Sequence, residues 1–388
     1  MSSFEFATAN KIIFGAGKLN ELGKQIEGRA KRLLLVRGSS SDAIPRLREI
    51  LSAQDIQFTE FQVRCEPTVD IVREGVRVAR EFDMVIGLGG GSVIDAGKAI
   101  AALVTNPGDV LDYLEVIGKG QPLVNAPLPY IAIPTTAGTG SEATRNAVIE
   151  STKHNVKVSL RSPLMLPQIA LIDPELTYNL PPAITASSGL DALTQLIEPF
   201  VSVKANPMTD MICREGLRQA ARSLRHAYEK GTDTSAREGM SLASLFGGLA
   251  LANAALGAVH GFAGPLGGML HRGKLSAPHG ALCARLLPLV MDANLKSLQA
   301  RQPNHPAIGR YTEIAKILTG YGKAVAQLGV NWVHELVHTL EIPPLSTYGM
   351  KKKDIPPAVE KTLQANSYKG NPIALNEAEL TSILEKAL

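Results

Sequence analysis

The sequence predicts a two-domain protein, with an α/β parallel-sheet domain at residues 1–180 and an all-helical domain at 181–388. Short apolar runs alternate with helical patterns in the first half, and this order is typical of a parallel sheet with helices on both faces. Pro181 and Pro182 then interrupt the chain, and almost every later pattern is helical. A length of 388 residues also favours two cores over one.

The individual elements follow from apolar periodicity and from the turn residues between them. The predicted strands are 32–36, 57–63, 83–87, 130–134 and 168–173, and the predicted helices of the first half are a segment ending at Leu51, 68–82 and 93–103. The second half carries helical patterns at 184–203, 207–229, 235–257, 279–297, 308–340 with breaks, and 354–387.

The composition excludes several classes of protein. The net charge is only +4 and the basic residues are dispersed, so we expect no nucleic-acid partner. Cys65, Cys213 and Cys283 lie far apart with no CxxC pair, which is typical of a reducing compartment. The most apolar stretch, 245–259, is too short to span a membrane, and the N-terminus lacks a signal-peptide pattern. We therefore expect a cytoplasmic protein with no membrane partner.

A glycine-rich loop follows the strand predicted at 83–87 and opens the helix predicted at 93–103. Glycine lets a backbone approach a pyrophosphate, and the free N–H groups of a helix N-terminus favour its negative charge. A tight turn without a ligand is the alternative, but four glycines in five positions exceed what a turn needs. We expect dinucleotide contacts from Gly89, Gly90, Gly91, Ser92 and Asp95.

A second loop, at 134–142, follows the strand predicted at 130–134 and is rich in hydroxyl groups. Its candidate phosphate or ribose contacts are Thr135, Thr136, Thr139 and Ser141, although Thr139 or Ser141 could also simply cap a helix. Two such loops at successive strand ends predict one crevice at the carboxyl edge of a Rossmann-like sheet.

The end of the first predicted strand bears on the choice of nicotinamide cofactor. In NAD-preferring sites an acidic residue near such a strand end holds the ribose 2′-hydroxyl. Here the chain carries Arg37, Gly38, Ser39 and Ser40 instead. We therefore expect Gly38, Ser39 and Ser40 to contact NADP, with NAD as the alternative.

A candidate metal site lies in the second half. Asp191 and Gln195 are four residues apart and share a helix face. His260 follows a helix of small residues, and His279 stands at a predicted helix start. A carboxylate and two imidazoles are competent ligands for Zn²⁺ or Fe²⁺, but from spacing alone they could equally be core or capping groups.

The segment from His334 to His338 fits the HExxH pattern of zinc peptidases. The neighbouring apolar residues recur every four positions and predict the buried stripe of an amphipathic helix, with the histidines turned away from it. That stripe is Leu328, Trp332, Leu336 and Leu340. We favour the plain helix over the peptidase.

Taken together, several segments resemble the iron-containing alcohol dehydrogenase family across nearly the whole chain. They are 11–17, 89–101, 134–144, 172–177, 189–199, 258–268 and 277–288. The resemblance implies a dehydroquinate synthase-like fold in which residues 1–180 bind a nicotinamide dinucleotide and the helical half binds a metal through Asp191, His260 and His279. It also implies a homodimer, and we add Lys157 and Leu176 to the expected cofactor contacts.

The chain departs from the family pattern at two positions. Gln195 stands where the family has a second metal-ligating histidine, and Gly264 stands where it has another histidine. Glutamine is a weak neutral ligand, so Zn²⁺ becomes as plausible as Fe²⁺. The similar glycerol dehydrogenases use one aspartate and two histidines around zinc. His271 lies in a longer loop that is either solvated, a cationic rim for an acidic substrate, or the source of the missing imidazole.

These residues predict an NAD(P)-linked alcohol dehydrogenase or aldehyde reductase of small molecules. The metal would act as a Lewis acid on the substrate oxygen. The expected catalytic set is Asp191, Gln195, His260, His271 and His279. The alternatives are a metal-independent enzyme similar to maleylacetate reductases, a lyase similar to dehydroquinate synthases, and a non-catalytic member.

Overall fold

The computed structural model describes residues 3–39, 42–154, 156–270 and 277–388. By its internal contacts the chain divides into two compact units. The sheet unit consists of Ala7–Thr136 with Gly140–Asn179. The helical unit consists of Leu180–Leu388 with Ala137–Thr139 and the N-terminal residues through Phe6.

The sheet unit is built on six parallel strands. In chain order its strands are β1 Lys11–Phe14, β2 Arg32–Arg37, β3 Gln57–Gln62, β4 Met84–Gly89, β5 Tyr130–Pro134, β6 Asn146–Ser151, β7 Val156–Arg161 and β8 Ile169–Ile172. The large sheet has the order β1-β8-β5-β4-β2-β3, and each neighbouring pair is parallel. Strands β6 and β7 form a separate antiparallel pair.

Both faces of this sheet are covered, as the sequence predicts. The helices of the unit are α1 Leu22–Ile26, α2 Ala43–Ala53, α3 Val69–Ala79, α4 Gly91–Leu103 and α5 Val110–Tyr113. On one face Leu33 and Leu35 pack with residues of α2, and on the other Leu34 and Val36 pack with residues of α3 and α4. This alternation follows from the two-residue period of a strand, and it buries the apolar runs completely.

The strand order reverses beside β2. The chain passes from β2 to β3 on one side, and β4 then pairs with the other side of β2. Open α/β sheets bind ligands at the carboxyl ends of the strands at such a switch point. The loops that follow β2 and β4 are therefore the expected place for a dinucleotide.

The helical unit has one core built from nine helices of the described residues. They are α6 Pro182–Val201, α7 Pro207–Glu229, α8 Thr234–Asn253, α9 Ala258–Met269, α10 His279–Arg301, α11 Pro306–Thr319, α12 Ala326–Thr339, α13 Ile355–Gln364 and α14 Glu377–Ala387. Two predicted helices differ in extent. The helix expected over 235–257 ends at Asn253 and a new helix begins at Ala258, so His260 lies in the first turn of α9. The helix expected over 354–387 is divided into α13 and α14.

Three strands have no counterpart in the sequence prediction. Strand β1 is a four-residue edge strand, β6 has only three consecutive apolar residues, and β7 alternates polar with apolar residues. None of the three contains the longer apolar run that is typical of a strand buried on both faces.

The HExxH segment lies on the exposed face of α12, where His334, Glu335 and His338 are all exposed. The predicted buried stripe is only partly right, since Leu336 and Leu340 are buried but Leu328 is 39% exposed. The buried face instead follows Val330, Val333 and Val337, at the three- and four-residue spacing of an α-helix. The structure thus agrees with an amphipathic helix.

No single helix of the described residues is long and apolar enough to cross a membrane, although α8 and α9, bent by 96°, pass that test as a pair by length and composition.

Candidate active site

Helix α6 places three polar side chains on one face. Asp191, Gln195 and Glu198 follow each other at spacings of four and three residues, so they point in similar directions. All three are buried, and buried polar groups of this kind require partners. The partners come from α9 and α10.

His260 lies in the first turn of α9 and is held by Glu198. Glu198 Oε2 lies 2.6 Å from His260 Nδ1, and Oε1 accepts the backbone N–H of Val259 at 2.7 Å. This leaves His260 Nε2 facing Asp191, 3.5 Å from Oδ1. A carboxylate on one imidazole nitrogen is the usual way in which proteins orient the other nitrogen toward a metal.

Helix α10 starts close against α6 and brings His279 and Cys283 into the same place. A Cβ at Gly280 would lie 2.3 Å from the carbonyl oxygen of Ser187, so only glycine allows this approach. Cys283 follows His279 by one helical turn, and its Sγ lies 3.6 Å from His279 Nε2. The rings of His260 and His279 are 5.5 Å apart.

Four donor atoms converge as a result. One ligand atom each from Asp191, His260, His279 and Cys283 lies within 4.8 Å of every other. Among the described residues, Asp191 Oδ1 is buried without a hydrogen-bond partner. An unsatisfied buried acceptor costs about 1–3 kcal/mol, and a cation at this point would remove that cost. The donor set therefore fits a divalent metal ion.

The charges of the cluster depend on one another. Burial raises the pKa of Asp191, but the attraction of His260 and His279 outweighs it and holds that pKa below its ordinary value. Burial lowers the pKa of His260, but Cys283, Asp191 and Glu198 outweigh it and hold that pKa well above the ordinary value. Burial raises the pKa of the Cys283 thiol to about 12.

The sequence-predicted residues fall into three groups here. Asp191, His260 and His279 are brought together. Gln195 Nε2 donates to Asp191 Oδ2 at 3.2 Å, so its amide contacts a donor of the cluster. His271 lies outside the described residues. Sequence reasoning missed Cys283, although its four-residue spacing from His279 is the same signal that drew attention to Gln195.

In the sheet unit, the loops after β2, β4 and β5 adjoin one another. The Thr135 N–H donates to Gly89 O at 2.9 Å, and the Gly38 N–H donates to Leu88 O at 3.4 Å. Gly90 is extended, and α4 begins directly after it at Gly91, with Ser92 in its first turn. Backbone N–H groups at this helix start are available for an anion.

The remaining predicted cofactor residues are more scattered. Thr136 lies beside Gly90, Ser39 is exposed, and Ser40 lies outside the described residues. Thr139 groups with the helical unit. Lys157 on β7 forms an ion pair with Glu66 at 3.4 Å, and Leu176 packs partly buried against the sheet.

Asp95 and Ser141 turn into the protein and bind each other. The Ser141 hydroxyl donates to Asp95, which also accepts the Val148 N–H at 2.9 Å. The fully buried Lys98 donates to Ser141 O at 2.7 Å and lies 3.7 Å from Asp95. These contacts fasten α4 to the segment that follows β5. Sequence reasoning missed Lys98, an unusual charged residue inside an apolar helix.

Burial perturbs the ionisable groups of this network and the neighbouring Glu142. It raises the pKa of Asp95, lowers the pKa of Lys98 to about 8 and raises the pKa of Glu142 to about 7.

An acidic residue that the sequence analysis did not identify lies near the end of β2. Glu60 on β3 accepts from Arg37 Nε at 2.6 Å.

Known proteins match both halves of the chain. Residues 9–174 match the iron-containing alcohol dehydrogenases, and residues 185–388 match the C-terminal part of the Fe-containing alcohol dehydrogenase family. The chain is 34% identical to alcohol dehydrogenase 4 of Saccharomyces cerevisiae over 382 residues, which is 96% of each chain.

Solved structures agree with these matches. A 1,3-propanediol oxidoreductase aligns with a TM-score of 0.91 at 32% identity, over 100% of both chains. A sulfoacetaldehyde reductase from Bifidobacterium kashiwanohense, solved in complex with NAD⁺, aligns with a TM-score of 0.85 at 26% identity, over 99% of this chain and 98% of that chain. The protein is therefore an oxidoreductase of the alcohol dehydrogenase class. Within that class it belongs to the iron-containing alcohol dehydrogenase family, which confirms the resemblance seen in the sequence.

Proposed function

We propose that this protein is a metal-dependent, NADP-preferring oxidoreductase that interconverts small aldehydes or ketones and alcohols. The observation that carries the proposal is the convergence of Asp191, His260 and His279, with the Asp191 Oδ1 atom buried and, among the described residues, without a hydrogen bond. When bound, the dinucleotide supplies the hydride, and the cation supplies Lewis-acid polarisation of a carbonyl or alcohol oxygen.

The protein's own residues prepare the metal site. Glu198 orients His260 by accepting from Nδ1, which keeps Nε2 available as a ligand. Gln195 holds the second oxygen of Asp191, so that Oδ1 stays directed at the two imidazoles. In this proposal Gln195 positions Asp191 and the metal is Zn²⁺ or Fe²⁺.

The cofactor is assigned to the adjoining loops of the sheet unit. The glycine turn at 89–91 presents backbone N–H groups of α4 to the pyrophosphate. Gly38 and Ser39 place no acidic side chain directly after β2, which favours NADP over NAD. The acid of this loop, Asp42, lies at the N-cap of α2 and accepts a hydrogen bond from Asn179 Nδ2 at 2.6 Å. Arg37 is already paired with Glu60, so the preference rests on the absence of an acid directly after the strand. A homodimer stays a prediction.

The experiment is a screen for NADPH and NADH oxidation over aldehydes, ketones and keto acids, with elemental analysis of the same preparation. We expect NADPH-dependent reduction and a bound divalent metal. Asp191→Ala and His279→Ala should abolish both, whereas Glu238→Gln, on the exposed face of α8, should change neither. Full turnover in both metal-site variants would overturn the metal role. A carbonyl substrate that turns over without net NADPH oxidation would indicate a lyase.

A further inference from the structure

Two separations within the donor cluster match those of a tetrahedral zinc site with one sulfur ligand. With Zn–N and Zn–O near 2.1 Å and Zn–S near 2.3 Å, ligand atoms of a tetrahedron are separated by about 3.4 Å for nitrogen to oxygen and about 3.6 Å for sulfur to nitrogen. The structure has 3.5 Å from His260 Nε2 to Asp191 Oδ1, and 3.6 Å from Cys283 Sγ to His279 Nε2. A zinc ion could therefore enter between these donors with little movement of the four side chains.

Gln195 contacts the cluster through its amide nitrogen. This nitrogen donates to Asp191 Oδ2 at 3.2 Å. The amide oxygen lies 3.3 Å from the position that a Cβ would take at Gly247 on α8, and among the described residues it is buried without a hydrogen-bond partner. A glutamine oxygen is only a weak neutral ligand, so position 195 offers no donor comparable to the family's second imidazole.

We infer that Cys283 Sγ is the fourth protein donor of this metal site, and that the set of one carboxylate, two imidazoles and one thiolate selects Zn²⁺ over Fe²⁺. The inference rests on the metal site of the proposed function and goes beyond it by assigning the donor set and the ion. The independent observation is Asp191 Oδ1, which among the described residues is buried without a hydrogen bond, because it points to a cation at the same place as the sulfur.

The chemistry of the donors gives the selectivity. A thiolate is a soft ligand, and a tetrahedral site of nitrogen and sulfur donors is typical of zinc. The thiol gives up its proton to bulk solvent as the Zn–S bond forms, so no redox partner is needed. Four protein donors still leave room for a further ligand, since zinc expands to five-coordinate.

Substitution with Co²⁺ tests for the sulfur ligand directly by absorption spectroscopy, and the test does not require enzyme turnover. Metal-free protein loaded with Co²⁺ should show a near-ultraviolet thiolate-to-cobalt charge-transfer band. Cys283→Ser should lose the band while the visible ligand-field bands show that Co²⁺ is still bound. Cys213→Ser is the matched control, because Cys213 is another buried cysteine of the helical unit and lies on α7. It should keep the band.

Metal selectivity is the second measurement. Metal-free protein is equilibrated anaerobically with equal Zn²⁺ and Fe²⁺, and the bound metal is measured. Wild type should hold zinc, and Cys283→Ser should bind Zn²⁺ at least about tenfold more weakly, the smallest loss expected for disturbing such a site. Gln195→His combined with Cys283→Ser should move the preference toward Fe²⁺.

The outcomes separate this inference from the proposed function. A cobalt–thiolate band in a protein that oxidises no NAD(P)H would support the inference and count against the proposed activity. Wild-type protein that binds Co²⁺ without the band, or a Cys283→Ser variant with unchanged zinc affinity, would overturn the inference even if carbonyl reduction is observed. Failure of wild type to bind any of the three metals would overturn both.

Discussion

The contact between Glu198 and His260 offers a sharp test of how the helical unit prepares its metal site. Both carboxylate oxygens act as acceptors, Oε2 at 2.6 Å from His260 Nδ1 and Oε1 at 2.7 Å from the Val259 N–H. Glu198→Gln keeps the size of the side chain but leaves only one acceptor. Either the Val259 N–H loses its partner, or the new amide N–H faces Nδ1 and favours the tautomer that carries its proton on Nε2.

The second arrangement blocks the nitrogen that faces Asp191. Changes to a residue that orients a metal-binding histidine typically reduce metal affinity by about 10–100-fold, or roughly 1.4–2.7 kcal/mol. We expect a loss in this range for Zn²⁺, and a smaller fall in the stability of the metal-free protein from the lost backbone hydrogen bond, about 1 kcal/mol.

The assay is competition for Zn²⁺ against a chromophoric chelator at neutral pH, with circular dichroism to establish that the variant is folded. Glu238→Gln on the same unit makes the same chemical change at an exposed position and should leave the affinity unchanged. A folded Glu198→Gln protein whose zinc affinity lies within about threefold of wild type would refute the idea that Glu198 fixes the tautomer.

Three further predictions concern stability, packing and the cofactor. Burial raises the pKa of Glu142 to about 7, so the folded protein favours the protonated carboxyl group. The free energy of unfolding should therefore fall as the pH rises from about 4.5, the pKa of the unfolded state, through 7, by up to about 3 kcal/mol. Glu142→Gln should flatten this part of the pH profile in urea unfolding, and an unchanged slope would contradict it. Gly280→Ala should destabilise by about 1–3 kcal/mol, because its Cβ would overlap the Ser187 carbonyl oxygen. Gly309→Ala is the control, because among the described residues nothing lies within 4 Å of its Cβ position, and it should stabilise the protein by about 0.5–1 kcal/mol. If Gly280→Ala and Gly309→Ala shifted the melting temperature equally, the overlap at Ser187 could not be the cause. Gly38→Asp has space for its Cβ, 3.7 Å from Val93, and should lower the NADPH-to-NADH ratio of kcat/KM by about tenfold, the equivalent of roughly 1.4 kcal/mol. A ratio that does not move would place the ribose elsewhere.

The sequence predicted the strands that are apolar runs and the helices with a clear apolar face. Strands β2, β4 and β5 are of the first kind, and the amphipathic helices α7 and α10 begin at the predicted residues. Strands β1, β6 and β7 were missed because each has at most three consecutive apolar residues.

The residues of the candidate site were also predicted only in part. Asp191, His260 and His279 could be nominated because their residue types and the family resemblance agree. Cys283 and Glu198 were not nominated, because a buried cysteine usually acts as a small apolar residue and the partner of a glutamate is fixed only by tertiary packing. The 2.6 Å contact between Glu198 and His260 joins α6 to α9, two helices far apart in the chain. Cys283 likewise meets Asp191 and His260 only because α10 packs against α6 and α9.

The packing around α6 explains why the polar cluster can exist inside an apolar core. Each of the three polar residues that build the cluster from α6 lies beside a glycine of a neighbouring segment: Asp191 by Gly280, Gln195 by Gly247, and Glu198 by Gly257. A Cβ at any of these glycines would lie within 3.3 Å of the facing residue's atoms or of nearby backbone. Short side chains such as aspartate reach across an interface only where the backbones approach closely, so the small residues of α8, α9 and α10 determine which donors meet. The site is therefore specified as much by the residues that lack side chains as by those that bind the metal.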